Sequence, residues 1–234
     1  MYCRTCRGPV QAGFARCYQC DLAHARCGSL LADVVAPVAY AVKGGRLAGD
    51  LWRYKSGSPG ATEAASRLSA MLAGYLREHG DQVWRAAGMA GGPGLAAVVP
   101  SGQGRPGPHP LAGIVASCAG VPIVPLSAGA AARGRGLGYG VAVGWLTVGG
   151  TVAGADVLLV DDTWVSGGTA QSAAVALKAA GARRVALVVI GRHLDPASPR
   201  SAEFLRALRT QSMITEEKRA YRTLFFRDHE NPGS

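Results

Sequence analysis

Apolar residues fall along this chain in two alternating patterns. Short, β-branched runs read as strands: Val34 to Lys43, Leu95 to Val99, Val121 to Pro125, Val157 to Val160 and Arg183 to Ile190. Between them the spacing changes to that of helices. After Pro59, the residues Leu68, Met71, Leu72, Tyr75 and Leu76 form a stripe at 3.6-residue intervals. Further helices are predicted from His109 to Ala119, from Ala170 to Ala180 (ended by Gly181) and from Ser201 to Arg209. Gly44-Gly45 reads as a turn and Gly88 to Gly94 as a flexible connection. Pro37 places the first strand at a sheet edge, where its missing N–H costs nothing. Strands separated by helices imply right-handed crossovers and a parallel sheet covered on both faces. The predicted fold class is therefore α/β, and a ligand site is expected at the strand carboxyl ends.

One of these strand ends carries chemistry. The run Val157-Leu-Leu-Val160 ends in adjacent carboxylates, Asp161 and Asp162, and a loop of small and hydroxyl residues leads into the next helix. Backbone N–H groups at a helix start, with its positive dipole end, favour an anion. The carboxylates repel an anion but accept hydrogen bonds from sugar hydroxyls beside it. One site thus suits both halves of a sugar phosphate. The plainer alternative is an acidic strand end that only caps a helix. A Gly-x-Gly-x-x-Gly match at Gly102, Gly104 and Gly107 is not a dinucleotide fingerprint. Pro106 and Pro108 crowd that turn, and no acid follows about 20 residues on.

At the N-terminus, Cys3-x-x-Cys6 and Cys17-x-x-Cys20 are spaced as two turns that bring four thiolates together, as structural zinc requires. Two disulfides or a redox pair are the alternatives. His24 and Cys27 are spare ligands, whereas Cys118 lies in an apolar helical stretch and reads as core. The chain divides into a Cys-rich module at 1–33, an α/β domain at 34–227 and a frayed tail at 228–234. A module of that size has little core, so metal binding would supply its folding energy.

Composition adds limits. The 234 residues are 48% hydrophobic with 33 Gly, enough for one α/β domain with a small appendage. No apolar run approaches the roughly 18 residues that span a bilayer, which excludes membrane insertion by a helix. The first residues lack the apolar core of a signal peptide, so a cytoplasmic protein is expected. The net charge of +10 suits a polyphosphate substrate, and it leaves nucleic-acid binding open.

The stretch Val-Leu-Leu-Val-Asp-Asp-x-x-x-Ser-Gly-Gly-Thr resembles the phosphoribosyl-pyrophosphate (PRPP) motif of type I phosphoribosyltransferases. The resemblance implies that family's parallel sheet flanked by helices, here with a small zinc-ribbon-like module ahead of it. It also implies that Asp161 and Asp162 hold the ribose hydroxyls, while Val165, Ser166, Gly167, Gly168 and Thr169 wrap the 5′-phosphate. The family's loop usually opens with two Thr; here Val165 and Ser166 stand there, so the first hydroxyl is missing and only its N–H remains. Trp164 is large for its position and is expected to shape the acceptor side. The loop after Val99 corresponds to the family's pyrophosphate-binding loop, implying roles for the amides of Ser101, Gly102 and Gln103 and for the cation of Arg105. His109 is expected near a helix start rather than as a base. The Gly- and Ala-rich segment from Ser127 to Gly150 is either an active-site lid or a connector; Arg133 and Arg135 within it either meet the leaving pyrophosphate or are solvated. Cys pairs ahead of such a motif are similar to ComF-type proteins, and Trp52-Arg-Tyr-Lys-Ser-Gly57 is similar to that family's basic-aromatic-Gly stretch.

The resemblance implies transfer of a phosphoribosyl group to a base or amine with release of pyrophosphate, with Mg²⁺ held chiefly by PRPP itself. Two alternatives stand beside it. One is a non-catalytic PRPP or nucleotide sensor whose knuckle recruits a partner, in DNA uptake by the ComF resemblance. The other is a nucleic-acid-binding protein built on the knuckle and the basic C-terminal part. A homo-oligomer is compatible with each.

Overall fold

A computed structural model describes residues 1–101, 109–129 and 140–214 of the chain. Its centre is a five-stranded parallel sheet of β1 (Val34–Val42), β2 (Leu95–Val98), β3 (Ile123–Val124), β6 (Asp156–Trp164) and β7 (Arg184–Leu194), in the order β1-β7-β6-β2-β3. The α/β expectation is met. Two short strands, β4 (Leu126–Ala128) and β5 (Leu146–Val148), pair antiparallel outside this sheet. The helices are α1 (Tyr18–Cys27), α2 (Arg46–Arg53), α3 (Ala61–Ala86), α4 (Pro110–Ala119), α5 (Gly168–Ala179) and α6 (Pro199–Ile214).

The two sheet faces are buried differently. Leu158 and Val160 of β6 join Val188 and Ile190 of β7 beneath α3 and α4, where Leu68, Leu72, Val83 and Leu111 are fully buried. The expected stripe on α3 is this face. Val157 and Leu159 point the other way, against Ala173, Ala174 and Leu177 of α5 and against the N-terminal cysteines. Both faces of the central strands are thus apolar, which is why their sequences read as continuous runs rather than alternations.

Several boundaries differ from the sequence expectation. Pro59 does not open α3, because Gly60 takes a left-handed φ of 84° and the helix starts at Ala61. The short helix α2 is masked in the sequence by Gly44, Gly45 and Gly49; it is anchored through Asp50, whose carboxylate accepts two hydrogen bonds from Arg67 on α3 (2.9 and 2.6 Å). Strand β7 runs on to Leu194 because Gly191 to Leu194 pair with Ala39 to Val42 of β1. The predicted strand at Val121 to Pro125 shrinks to two residues, and the chain then leaves the sheet to form the β4–β5 ribbon. As expected, β1 is an edge strand. Gly102, Gln103, Arg105, Arg133 and Arg135, most of the 127–150 segment's centre and the C-terminal tail lie outside the described residues.

Candidate functional site

The site follows from the direction in which the chain leaves the sheet. From β2 it crosses through α4 to β3 on one side, and from β6 through α5 to β7 on the other. At the boundary between β2 and β6 the two carboxyl-end loops therefore diverge and leave a crevice, the usual ligand position in such sheets. A cleft with about 340 Å³ of free volume opens there. Its walls are Val99, Pro100 and Ser101 after β2, Asp161 to Thr163 on β6, Val165 to Ala170 after it, and Lys55 and His109 from the α2–α3 face. Of the residues expected at the site, those within the described region (Ser101, Asp161, Asp162, Val165, Ser166, Gly167, Gly168 and Thr169) all line this one cleft.

The loop is built to present amides. Gly167, the N-cap, has a φ of 83° and no side chain with which to cap α5, and the first turn of that helix contains no acid. The positive end of α5 therefore faces the cleft without an internal counter-charge. Ser166 Oγ accepts weakly from the Gly168 N–H at 3.4 Å. Val165 is 56% exposed, so the missing hydroxyl leaves an apolar side chain at the loop's mouth.

The two acids occupy unlike environments. Asp162 is 5% exposed and is held on one oxygen by the Tyr54 hydroxyl and by the Lys55 ammonium at 2.5 Å. Asp161 Oδ1 accepts from the Asp162 N–H at 2.9 Å. Burial first, and then the neighbouring Asp162 carboxylate, push the Asp161 carboxyl up to about 8, against the pull of Lys55. At neutral pH Asp161 thus holds its proton. Tyr54 and Lys55 carry no site signature of their own in the sequence; their one signal is the Trp52-to-Gly57 stretch, which ends α2 and begins the α2–α3 connection. His109 caps α4, its Nδ1 accepting from the Leu111 N–H at 3.1 Å. That agrees with the expected helix-start role, although its ring also lines the cleft.

Lys55 and Thr163 are shared with a second, more apolar groove of about 520 Å³, floored by Ala41, Ala48 and Leu51 and rimmed by Trp52, Lys43 and His193. Trp164 does not shape that side. Its indole is 1% exposed and packs with the knuckle cysteines on the opposite sheet face, lying against Gly167. The expectation for Trp164 is corrected: the N-terminal cysteines cover the face on which it lies.

The four cysteines converge. Cys3, Cys6, Cys17 and Cys20 place their sulfurs within 4.8 Å of one another, and Cys6 and Cys17 are 3.8 Å apart. A tetrahedral ion with bonds of ~2.3 Å needs sulfurs ~3.8 Å apart. Hydrogen bonding with Cys17 draws the Cys3 thiol down and pushes those of Cys6 and Cys20 up. The donor set fits a divalent metal of zinc type, and it would supply structure rather than a reactive position. Cys27 packs instead with Leu31, Val141 and Val175, and His24 is not among the four. Cys118 packs against the core as expected.

Several solved structures are similar to this chain. They include phosphoribosylpyrophosphate synthetase from Mycobacterium smegmatis (25% identity, TM-score 0.34, covering 58% of this chain and 37% of that one). Another is adenine phosphoribosyltransferase from Leishmania tarentolae (19%, TM-score 0.39, 68% and 65%). A third is purine phosphoribosyltransferase from Pyrococcus horikoshii (17%, TM-score 0.35, 57% and 87%). This chain spans less than two thirds of the length of the first two. No protein-family model matches the chain, and no curated protein matches it. At these TM-scores the likenesses carry no substrate.

Proposed function

We propose that the cleft binds a 5-phosphorylated ribose, with PRPP as the donor in phosphoribosyl transfer. One observation carries the proposal: the acid pair and the uncapped first turn of α5 line the same cleft, in the order a sugar phosphate would need. The amides of Val165 to Thr169 would take the 5′-phosphate, and Asp161 and Asp162 the ribose hydroxyls. Magnesium would arrive on the pyrophosphate oxygens. With Asp162 already held by Lys55 and Tyr54, Asp161 is the acid with room to approach it, and it would give up its proton to do so. In the transfer, the bond from C1 to the pyrophosphate oxygen breaks, its electron pair leaving with pyrophosphate. A nitrogen nucleophile then forms the new bond to C1 and loses its proton. The protein contributes position and charge compensation. The apolar groove beyond Lys55 and Thr163 is where an acceptor would meet C1. The knuckle would hold structural zinc, and a reducing cytoplasm suits its thiols.

Val165 favours a second reading. A loop with an apolar side chain at its mouth supports binding without efficient turnover, as in a ComF-like sensor whose knuckle meets a partner, nucleic acid included. Pyrophosphate release from Mg²⁺-PRPP across a panel of bases and amines separates the two. Turnover with any acceptor excludes the sensor; saturable binding with no turnover favours it. Among the described residues, no helix is long and apolar enough to cross a membrane.

A further inference from the structure

The four-cysteine site and the phosphate loop meet at one side chain, Arg192 on β7. Its guanidinium Nη2 donates to Cys6 Sγ at 3.7 Å, while Nη1 donates to the Trp164 carbonyl at 3.1 Å and to the His193 carbonyl at 2.6 Å. Trp164 is the last residue before the loop, and its indole underlies Gly167, where a Cβ would overlap the ring. On the knuckle side, a Cβ at Gly8 would overlap the Arg192 guanidinium itself. The contact between the two structures is therefore tight on both ends.

Charge makes the arrangement informative. Arg192 is only 9% exposed, its Nε has no hydrogen-bond partner, and no described carboxylate forms an ion pair with it. A buried guanidinium without a counter-charge is costly. Four thiolates around a divalent ion carry a net charge of about −2, and the guanidinium that reaches Cys6 is placed to offset it. Outer-shell donors of this kind orient metal ligands and temper their basicity.

We propose that Arg192 is a positioning residue which transmits metal occupancy of the four-cysteine site to the conformation of the Val165–Thr169 loop. With the metal in place, the tetrathiolate holds the guanidinium, and the guanidinium holds the strand end from which the loop departs. Loss of the metal frees the four sulfurs from their tetrahedral arrangement, so Cys6 Sγ no longer holds the guanidinium in place, and the buried cation then turns toward water and releases the Trp164 carbonyl. This linkage is independent of what the loop binds.

Hydrogen exchange on the full-length protein tests it without any ligand. In the wild-type chain, removing the metal with a chelator should accelerate exchange in the segment 164–169 about tenfold. Arg192→Met, loaded with metal, should show that acceleration while the knuckle amides stay protected, and chelation should add little more at the loop. Arg192→Lys, which keeps a cation but loses the fork, should fall between. In cobalt-substituted protein, Arg192→Met should shift the thiolate-to-metal absorption band, since a donor to Cys6 Sγ is lost; a side chain with only a packing role would leave that band in place. The proposal is overturned if the 164–169 segment is unchanged on metal removal. It is equally overturned if metal-loaded Arg192→Met matches wild type in both exchange and absorption. Should Arg192→Met not fold, the wild-type chelation experiment and Arg192→Lys decide the matter.

Discussion

The ammonium of Lys55 stands 2.5 Å from Asp162 Oδ2, so the second acid of the pair is never bare in the cleft. The Tyr54 hydroxyl donates to the same oxygen. A carboxylate this buried needs both donors to offset its lost hydration. Lys55→Met is expected to destabilise the fold by about 1.5–3 kcal/mol. Lys55→Met combined with Asp162→Asn should cost less than the two single changes added together, since the second removes the stranded charge. Denaturant unfolding of the three variants checks this; strict additivity would mean that the pair is not coupled.

Gly167 is the position at which the loop tolerates least. Its φ of 83° disfavours any side chain, and a Cβ there would overlap the buried Trp164 indole. Strain and overpacking act together, so Gly167→Ala should lose roughly 2–4 kcal/mol and displace the loop. Gly13 is the control, since it also has a positive φ (87°) but open space where a Cβ would stand. Gly13→Ala should cost far less. Thermal unfolding distinguishes the two outcomes, and equal losses would show that the indole does not pack against the loop.

Asp161 ties stability to pH. Its folded carboxyl sits near 8 against an ordinary value of 3.8, raised by burial and then by Asp162. The native state therefore holds a proton that the unfolded chain releases above about pH 4. The contribution is complete below that point and is lost as pH rises through 8. Asp161→Asn, which keeps an acceptor for the Asp162 N–H but cannot ionise, should gain in melting temperature over wild type progressively from pH 5 to pH 8 and then level off. A difference that is flat across that range would contradict the assignment.

How far the site can be read from the residues alone depends on the range of the interactions that make it. The acids, the loop and α5 are consecutive in the chain, so their relation is local and legible. The parallel sheet and its carboxyl-end site also follow from the alternating patterns. Tyr54, by contrast, reaches Asp162 from 108 positions away, with Lys55 beside it, and no local pattern announces that approach. Trp164 misleads for the same reason. The cysteines that bury it lie at the far N-terminal end of the chain, and a large aromatic beside a cleft looks like a wall of it. Helix α2 is illegible because Gly49 within it lowers helix propensity, Gly44 and Gly45 ahead of it read as a turn, and its anchor, Arg67, lies on another helix.

Whether the cleft takes a phosphorylated ribose is the question on which the proposed function turns. Titration calorimetry with Mg²⁺-PRPP measures this on the intact, metal-loaded protein. Saturable one-to-one binding is expected in wild type, and Asp161→Asn and Asp162→Asn should each weaken it about 10- to 100-fold, because each replaces a carboxyl acceptor of the ribose hydroxyls with an amide. Absence of binding to the folded wild-type protein, or affinity unchanged in both variants, would contradict it.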